Sequence, residues 1–255
     1  MLVLLSCAKT MSAVSKVKVP LTTIPRFQKE AAEIALQMSQ FSVDELERLL
    51  RVNAKIAVEN YKRYQAFHAE TTPELPALLA YTGIVFKRLN PKDFSAEDFG
   101  YAQEHLRLTS FCYGLLRPLD VIRAYRLGGD VVLPELGNQT LFSYWRSRLT
   151  DTFIEDIRSA GGILCNLASD EMKSLFDWKR VESEVRVITP EFHVWKNGKL
   201  ATIVVYTKMS RGEMTRFILK NKIGNPEELK GFSWEGFEFD ESLSDERKLV
   251  FINGM

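Results

Sequence analysis

Cysteine is scarce in this sequence. The 255 residues include only Cys7, Cys112 and Cys165, and no two of them form a CxxC pair. An odd number of scattered cysteines argues against a disulfide framework and favours a reducing compartment. We therefore expect a cytoplasmic protein in which these thiols are small buried hydrophobes. A peroxide-sensing role for Cys7, which lies close to Lys9, is the alternative.

Long apolar runs are also absent. No segment reaches the length that a membrane-spanning helix needs. The apolar start, Met1–Leu5, is too short for a signal peptide and has no basic residues before it. We expect no membrane partner.

Histidine is rare, and the net charge is small. His68, His105 and His193 are far apart, without the two-histidine, one-carboxylate pattern of an iron site, so we expect no metal and no cofactor. His105 is interpreted as a structural histidine. The formal charge of +1 excludes a grossly basic nucleic-acid-binding protein, so any attraction to phosphate must come from local clusters of basic residues.

Two apolar segments are predicted to be buried strands that end in polar loops. Leu2–Leu5 is followed by Ser6–Thr10, and Ile163–Cys165 is followed by Asn166–Asp170. Binding sites in α/β sheets commonly lie at such strand ends. Lys9 is therefore either a binding residue or an ordinary solvated lysine.

Capping residues predict a helical hairpin near the amino terminus. After a helix over Phe27–Met38, Ser42 and Glu45 form a capping-box pattern, and Asn53 can cap a second helix that runs to Phe67. The hairpin carries basic residues at Arg48, Arg51, Lys55, Lys62 and Arg63. They could bind successive phosphates, but glutamates dilute the patch and the turn lacks glycine, so a merely solvated face is the alternative.

Longer patterns organise the rest of the chain. Leu141–Ile157 is amphipathic and predicts a helix. Alternation predicts a strand over 191–195 that pairs with 200–207 across Asn197-Gly198 and finishes at Lys208. A helix should follow around Ser210–Phe217, and 232–239 reads as a closing strand. No repeats or linkers are visible, and at this length we expect one domain over 1–255.

The central stretch Glu104–Asp120 is an apolar run flanked by Arg107 and Arg117, with Arg126 soon after. A guanidinium near a core needs an anionic or hydrogen-bonding partner. Charged side chains at such positions usually take part in ligand binding.

Several motifs together resemble the YaaA family of bacterial peroxide stress resistance proteins. The resemblance is carried by Ser6-Cys7-Ala8-Lys9-Thr10, His105-Leu106-Arg107, Tyr113-Gly114-Leu115-Leu116-Arg117-Pro118-Leu119-Asp120, Tyr125-Arg126-Leu127, Asn166-Leu167-Ala168-Ser169-Asp170-Glu171, Lys208, and Ser210-Arg211-Gly212-Glu213-Met214-Thr215-Arg216-Phe217. These motifs extend over most of the chain. Cys7 stands where the family usually has proline, and Gly128-Gly129 interrupts a family motif that contains a carboxylate.

The resemblance implies a single-domain mixed α/β fold with a central mixed sheet flanked by helices. It also implies a cytosolic protein that limits oxidative damage by restraining intracellular iron. DNA binding through a helix-hairpin-helix is implied as well, and in this chain that element would fall at about 42–67. A positively charged cleft is the last implied feature.

Two functional hypotheses follow. In the first, the protein binds DNA without sequence specificity through Arg51, Lys55, Lys62 and Arg63 on the hairpin and through a cationic cleft, so affinity should fall steeply with salt. In the second, the cleft binds a small anion or nucleotide, with or without catalysis. The cleft residues are Lys9, Arg107, Arg117, Arg126, Asn166, Ser169, Lys208, Arg211 and Arg216. Lys9, Tyr113 and Asp120 are the candidates for proton transfer, although Asp120 can equally pair with Arg117.

Overall fold

Strands and helices are interspersed along the chain in the computed structural model, which describes residues 1–196 and 198–254. The strands are β1 (Leu2–Leu5), β2 (Glu74–Pro76), β3 (Leu106–Ser110), β4 (Gly114–Leu116), β5 (Val121–Arg123), β6 (Val132–Leu133), β7 (Gln139–Thr140), β8 (Ile163–Asn166), β9 (Arg186–Lys196), β10 (Lys199–Ala201), β11 (Phe237–Phe239) and β12 (Lys248–Asn253). The helices are α1 (Gln28–Met38), α2 (Val43–Leu50), α3 (Ala54–Ala66), α4 (Ala77–Ala80), α5 (Ile84–Leu89), α6 (Ala96–His105), α7 (Leu141–Ser159), α8 (Asp170–Lys173), α9 (Trp178–Glu184) and α10 (Val204–Asn221). Short 3₁₀ turns lie at Pro91–Asp93, Pro134–Leu136, Pro226–Gly231 and Glu241–Leu243.

Within these residues, eight strands form one mixed sheet. Its order is β11-β12-β9-β8-β1-β3-β4, with β10 beside β9. Strand β1 is parallel to both β3 and β8, β8 is parallel to β9, and β9 is parallel to β12. Helices α6 and α7 contact the central strands, and β1 is buried along its whole length. The predicted mixed α/β fold with a central mixed sheet flanked by helices is confirmed.

The predicted capping residues start their helices. Ser42 N donates to Glu45 Oε2 at 2.8 Å, and Asn53 Oδ1 accepts from Ile56 N at 3.0 Å. Arg51 joins α2 to α3 in the left-handed region at φ 52°. The two helices contact each other, so the sequence correctly located a helical hairpin.

The expected strand over 200–207 is wrong for most of its length. β10 ends at Ala201, and α10 begins at Val204 although valine favours strands. The helix instead buries Met214, Ile218 and Leu219, and this packing overrides the local preference. Of the turn predicted to join the two strands, Asn197 lies outside the described residues, and Gly198 has φ +73°.

The expected closing strand over 232–239 is also shorter than predicted. Only Phe237–Phe239 pairs with β12. Before it, Glu235 and Gly236 both have positive φ, which makes a tight turn between Trp234 and Phe237. An extended strand cannot pass through two such residues.

No helix in the described part of the chain is both long and apolar enough to cross a membrane.

His105 has the structural role expected of it. Its Nδ1 donates to the carbonyl of Met1 at 3.0 Å, and its ring stacks on Tyr101 with centroids 4.1 Å apart. Burial lowers the pKa of His105. Residues 1–196 and 198–254 hold no group of three or more His, Cys, Asp or Glu side chains arranged for a metal ion.

Candidate functional site

The carboxyl ends of β1, β3 and β8 meet at one edge of the sheet. β1 lies between the other two, and the chain continues to β3 on one side and β8 on the other. Ligands of open α/β sheets bind at this kind of switch point. Here Ser6 Oγ accepts a hydrogen bond from Ser169 N at 2.8 Å and lies 3.2 Å from Ser169 Oγ, which ties the two predicted polar loops together.

A cavity of about 300 Å³ opens at these strand ends, and we call it the strand-end cavity. Its walls come from the loops after β1 and β8, the first turn of α5, the segment around Arg126, and α10. The lining residues are Leu5, Ser6, Cys7, Ala8, Lys9, Gly83, Ile84, Val85, Phe86, Phe111, Tyr125, Arg126, Leu127, Leu167, Ser169, Glu171, Met172, Lys208 and Arg211.

Four cations surround this cavity: Lys9, Arg126, Lys208 and Arg211. None of the four makes an ion pair with any described residue, and Glu171 is the one acid on the wall. Arg126 donates from Nη1 to the carbonyl of Lys9 at 3.2 Å, which holds the two residues together. Unneutralised like charges repel one another, so a bound anion would stabilise the arrangement.

Arg211 is the most deeply placed of these cations. Its Nε is buried and has no hydrogen-bond acceptor among residues 1–196 and 198–254. Removal from water lowers the pKa of Arg211, and the carboxylate of Asp170 opposes that shift only in part. Asp170 is itself paired with Lys173 at 2.8 Å. A desolvated guanidinium without its own counter-ion is costly unless a ligand supplies one.

Two further cavities adjoin the strand-end cavity. The hairpin cavity, about 340 Å³, shares Lys9, Phe111, Arg126, Leu127 and Glu171 with it and reaches Leu49, Leu50, Gly128, Gly129, Asp130, Val131, Arg48 and Arg51. The β9 cavity, about 380 Å³, shares Arg211 and is lined also by Lys173, His193, Arg247 and Lys248. The three form a row along the carboxyl edge of the sheet, and the hairpin turn borders one end of it.

The structure therefore brings five of the predicted cleft residues to one cavity: Lys9, Arg126, Ser169, Lys208 and Arg211. The loops after β1 and β8 converge as the sequence suggested. Their convergence follows from the parallel pairing of β1 with β8.

Arg107 does not line the cavity, contrary to expectation. Its Nε donates to Asp156 Oδ2 at 2.7 Å, and both residues are more than nine-tenths buried. Arg26 donates to the other oxygen of Asp156 at 3.1 Å. Arg107 thus stabilises the contact between β3 and α7, and its partner is 49 residues away in sequence.

Arg117, Asp120 and Arg216 also lie outside the cavity. Arg117 donates from Nη2 to Asp120 Oδ1 at 2.9 Å, which is the pairing that the sequence left open as an alternative. Asp120 accepts from Thr23 Oγ1 at 2.6 Å as well, so its oxygens are occupied. Arg216 binds both carboxylate oxygens of Asp93, at 2.6 and 2.8 Å. Each of these charges is neutralised within the protein.

Asn166 and Tyr113 are buried away from the cavity surface. Asn166 Oδ1 accepts from Ala168 N at 3.2 Å and shapes the turn after β8, while its Nδ2 has no partner among the described residues. The Tyr113 hydroxyl accepts from Arg123 N at 3.0 Å, and burial raises its pKa. Neither side chain reaches the position expected of it.

The hairpin cations differ in their freedom to bind phosphate. Lys55 and Lys62 are exposed and make no ion pair with any described residue. Arg51 is exposed and lies 3.9 Å from the equally exposed Asp130. Arg63 is half-buried and held by Glu59 at 2.5 Å, so it is the least available of the four.

Two residues that line the cavity, Tyr125 and Gly83, were not among the predicted site residues. Tyr125 lies in a buried chain of hydroxyls, 2.8 Å from the Tyr81 hydroxyl and 2.7 Å from Ser110 Oγ. Gly83 lets the start of α5 approach the β1 loop, because a Cβ there would lie 2.9 Å from Ala8 Cβ. Gly83 and Ala8 are 75 residues apart in sequence, so no local pattern reveals this contact.

Cys7 is a half-buried part of the cavity wall, and burial raises the pKa of its thiol to about 12. A thiolate is the reactive form, so we expect Cys7 to react slowly with hydrogen peroxide and iodoacetamide at neutral pH. Its alkylation rate should still be rising at pH 10, well above the range where an ordinary cysteine levels off. Mass-spectrometric labelling against pH checks this. A plateau below pH 8 would revive the thiol-sensor hypothesis.

Comparison with known proteins places this chain in a family. The family model described as peroxide stress protein YaaA matches residues 1–243. A UPF0246 protein of Bacteroides thetaiotaomicron is 98% identical over 255 residues, covering 100% of this chain and 99% of its own length. A UPF0246 protein of Phocaeicola vulgatus is 63% identical, with 98% of each chain covered. One from Crocosphaera subtropica is 38% identical over 99% of this chain and its own full length.

Proposed function

This chain belongs to the peroxide stress protein YaaA family, and from that premise we propose that it binds DNA and thereby helps to limit iron-driven damage during oxidative stress. The DNA would lie along the row of cavities at the carboxyl edge of the sheet, with the hairpin at one end. Binding would be through phosphates and without sequence specificity.

The observation that carries this proposal is the shared wall between the strand-end and hairpin cavities. Lys9 and Arg126 belong to both, and Arg48 and Arg51 at the end of α2 continue the same surface. A row of cations beside a helical hairpin, of which only Arg51 pairs with an acid in the described residues, suits a backbone of regularly spaced phosphates. The net charge of +1 is no obstacle, since attraction depends on local clustering.

The double variant Arg48→Gln/Arg51→Gln should bind duplex DNA more weakly, and its affinity should depend less steeply on the salt concentration. Each phosphate contact contributes about 0.9 to the slope of log affinity against log salt, so two lost contacts should reduce that slope by about 1.8. Fluorescence anisotropy of a labelled duplex over a salt series measures both quantities.

Arg158→Gln is the matched control. Arg158 is exposed and paired with Glu184, and it lies at the end of α7 just before β8, hence at the opposite edge of the sheet. It should leave the slope unchanged. An unaltered slope in the double variant, or no retention of duplex by the native protein at low salt, would disprove the proposed surface. Plasmid nicking by ferrous iron and peroxide, compared between the same variants, tests the protective role.

A second candidate function is the binding of a small anion in the strand-end cavity, and Arg211 favours it. An extended duplex can contact exposed cations, but it cannot reach a buried Nε. Lys9 and Glu171 remain as wall residues able to transfer a proton, whereas Tyr113 and Asp120 lie elsewhere.

A further inference from the structure

The two ends of the strand-end cavity are chemically different. Arg211 also borders the β9 cavity, so it marks one end. Phe111 and Leu127 also border the hairpin cavity, together with Lys9, Arg126 and Glu171, so these residues mark the other end. Phe86 and Met172 add further apolar surface to the walls. A ligand suited to this lining would carry an anionic group at the Arg211 end and, at the hairpin end, an apolar body that lies beside Lys9 and Arg126.

The Arg211 end has the properties of a phosphate site. A guanidinium presents several N–H donors in one plane and prefers anions with two or more oxygens. Lys208 is on the same face of α10, one turn earlier, and lines the same cavity. At the neighbouring strand end, Ser6 Oγ already accepts from Ser169 N, so the hydroxyl pair retains one hydrogen that can be donated to a ligand oxygen.

The size of the cavity argues against a bare ion. About 300 Å³ corresponds to the volume of roughly ten water molecules, far more than one phosphate needs. Flat aromatic and aliphatic walls around the remainder suit a ring system, and pockets that receive single bases combine such walls with a few polar groups.

We propose that the strand-end cavity binds a single nucleotide, with its phosphate on Arg211 and Lys208 and its base against Phe111 and Leu127. This inference extends the proposed DNA binding. It rests on that proposed function in the case where the bound nucleotide is part of a DNA strand. Lys9 and Arg126, at the hairpin end, would then hold the next phosphate of that strand. The same chemistry is offered by a free nucleoside monophosphate, and experiment separates the two sources.

Thermal shift with three compounds tests the free form. Adenosine monophosphate should raise the melting temperature more than inorganic phosphate at equal concentration and ionic strength, and adenosine alone should do less than either. Arg211→Gln should weaken binding of the monophosphate by about tenfold to a hundredfold, the size expected for charge-assisted hydrogen bonds. Lys208 is exposed, so Lys208→Gln keeps the test valid if the Arg211 variant folds poorly. Arg158→Gln, at the opposite edge of the sheet, should leave the affinity unchanged.

A duplex with one fluorescent adenine analogue tests the strand-borne form. Two duplexes are compared, one with the analogue unpaired and one with it base-paired. A second label on each duplex reports binding by anisotropy. The native protein should change the emission of the unpaired analogue only, and Arg211→Gln should abolish that change. Binding of both duplexes with equal emission responses would overturn the inference and leave DNA binding intact. Loss of all duplex binding while the monophosphate still binds would instead reject the proposed function and support the free nucleotide. A monophosphate no better than inorganic phosphate would show a bare-anion site and overturn the inference.

Discussion

Replacing Asp156 with alanine should lower the free energy of unfolding by about 3–5 kcal/mol, the loss expected when a buried charge loses its partner. Asp156 is the carboxylate that neutralises Arg107 at 2.7 Å, and Arg107 is only 7% exposed. The variant leaves that guanidinium buried without its counter-ion. Urea denaturation followed by circular dichroism measures the change.

Asp151→Ala provides the control on the same helix. Asp151 also pairs with an arginine, Arg180, but the two side chains are 75% and 47% exposed. Surface ion pairs contribute little, so this variant should unfold at nearly the native urea concentration. If both variants unfold at that concentration, the pair of Arg107 and Asp156 has no structural role, and Arg107 would again be a candidate for binding.

Gly212→Ala should destabilise the protein by about 3 kcal/mol, near the upper end for overpacking in a close contact. A Cβ at Gly212 would lie 2.3 Å from the carbonyl oxygen of Val85 and 2.8 Å from Arg88 Cβ. The first of these is backbone and cannot rotate away, so α10 must move from α5. Because Lys208 and Arg211 are on α10 and Val85 lines the cavity, anion binding should fall as well.

The opposite outcome is expected for Gly100→Ala. Gly100 lies inside α6, is exposed, and has nothing within 4 Å of the added Cβ. Alanine there should stabilise the protein by about 1 kcal/mol, because glycine loses more chain entropy in a helix. Thermal unfolding of the Gly212→Ala and Gly100→Ala proteins tests both predictions. A Gly212→Ala protein as stable as the native one would show that α10 is not held at α5 by this contact.

The contacts that these predictions test also hold the candidate site in its shape. Arg211 faces the cavity from a helix fixed by a glycine contact with α5, by Arg216 on Asp93, and by Lys220 on Asp98 at 2.7 Å. Arg107, Arg117 and Arg216 neutralise carboxylates and belong to the frame, whereas Arg126 and Arg211, which pair with no described acid, line the cavity. Side chains of the same chemical type serve opposite purposes within one motif, since Arg211 and Arg216 are only five residues apart.

The sequence by itself determined the features that depend on neighbouring residues. Ser42 and Asn53 cap their helices through contacts three residues away, so a short pattern was enough to locate the hairpin. The buried strand Leu2–Leu5 and its polar loop were visible for the same reason. The motifs also indicated the family, whose model matches residues 1–243.

Only the tertiary structure decided which cations are available to a ligand. Arg107 and Arg216 find their acids 49 and 123 residues away, and no pattern along the chain reveals such a partner. The extent of β10 and the start of α10 were likewise set by what α10 packs against. An ion pair depends on where two side chains meet in space, whereas a helix cap depends on a few consecutive residues. That difference is why the sequence located the strand-end loops, and only the fold could separate Lys9, Arg126, Lys208 and Arg211 from the arginines that hold the protein together.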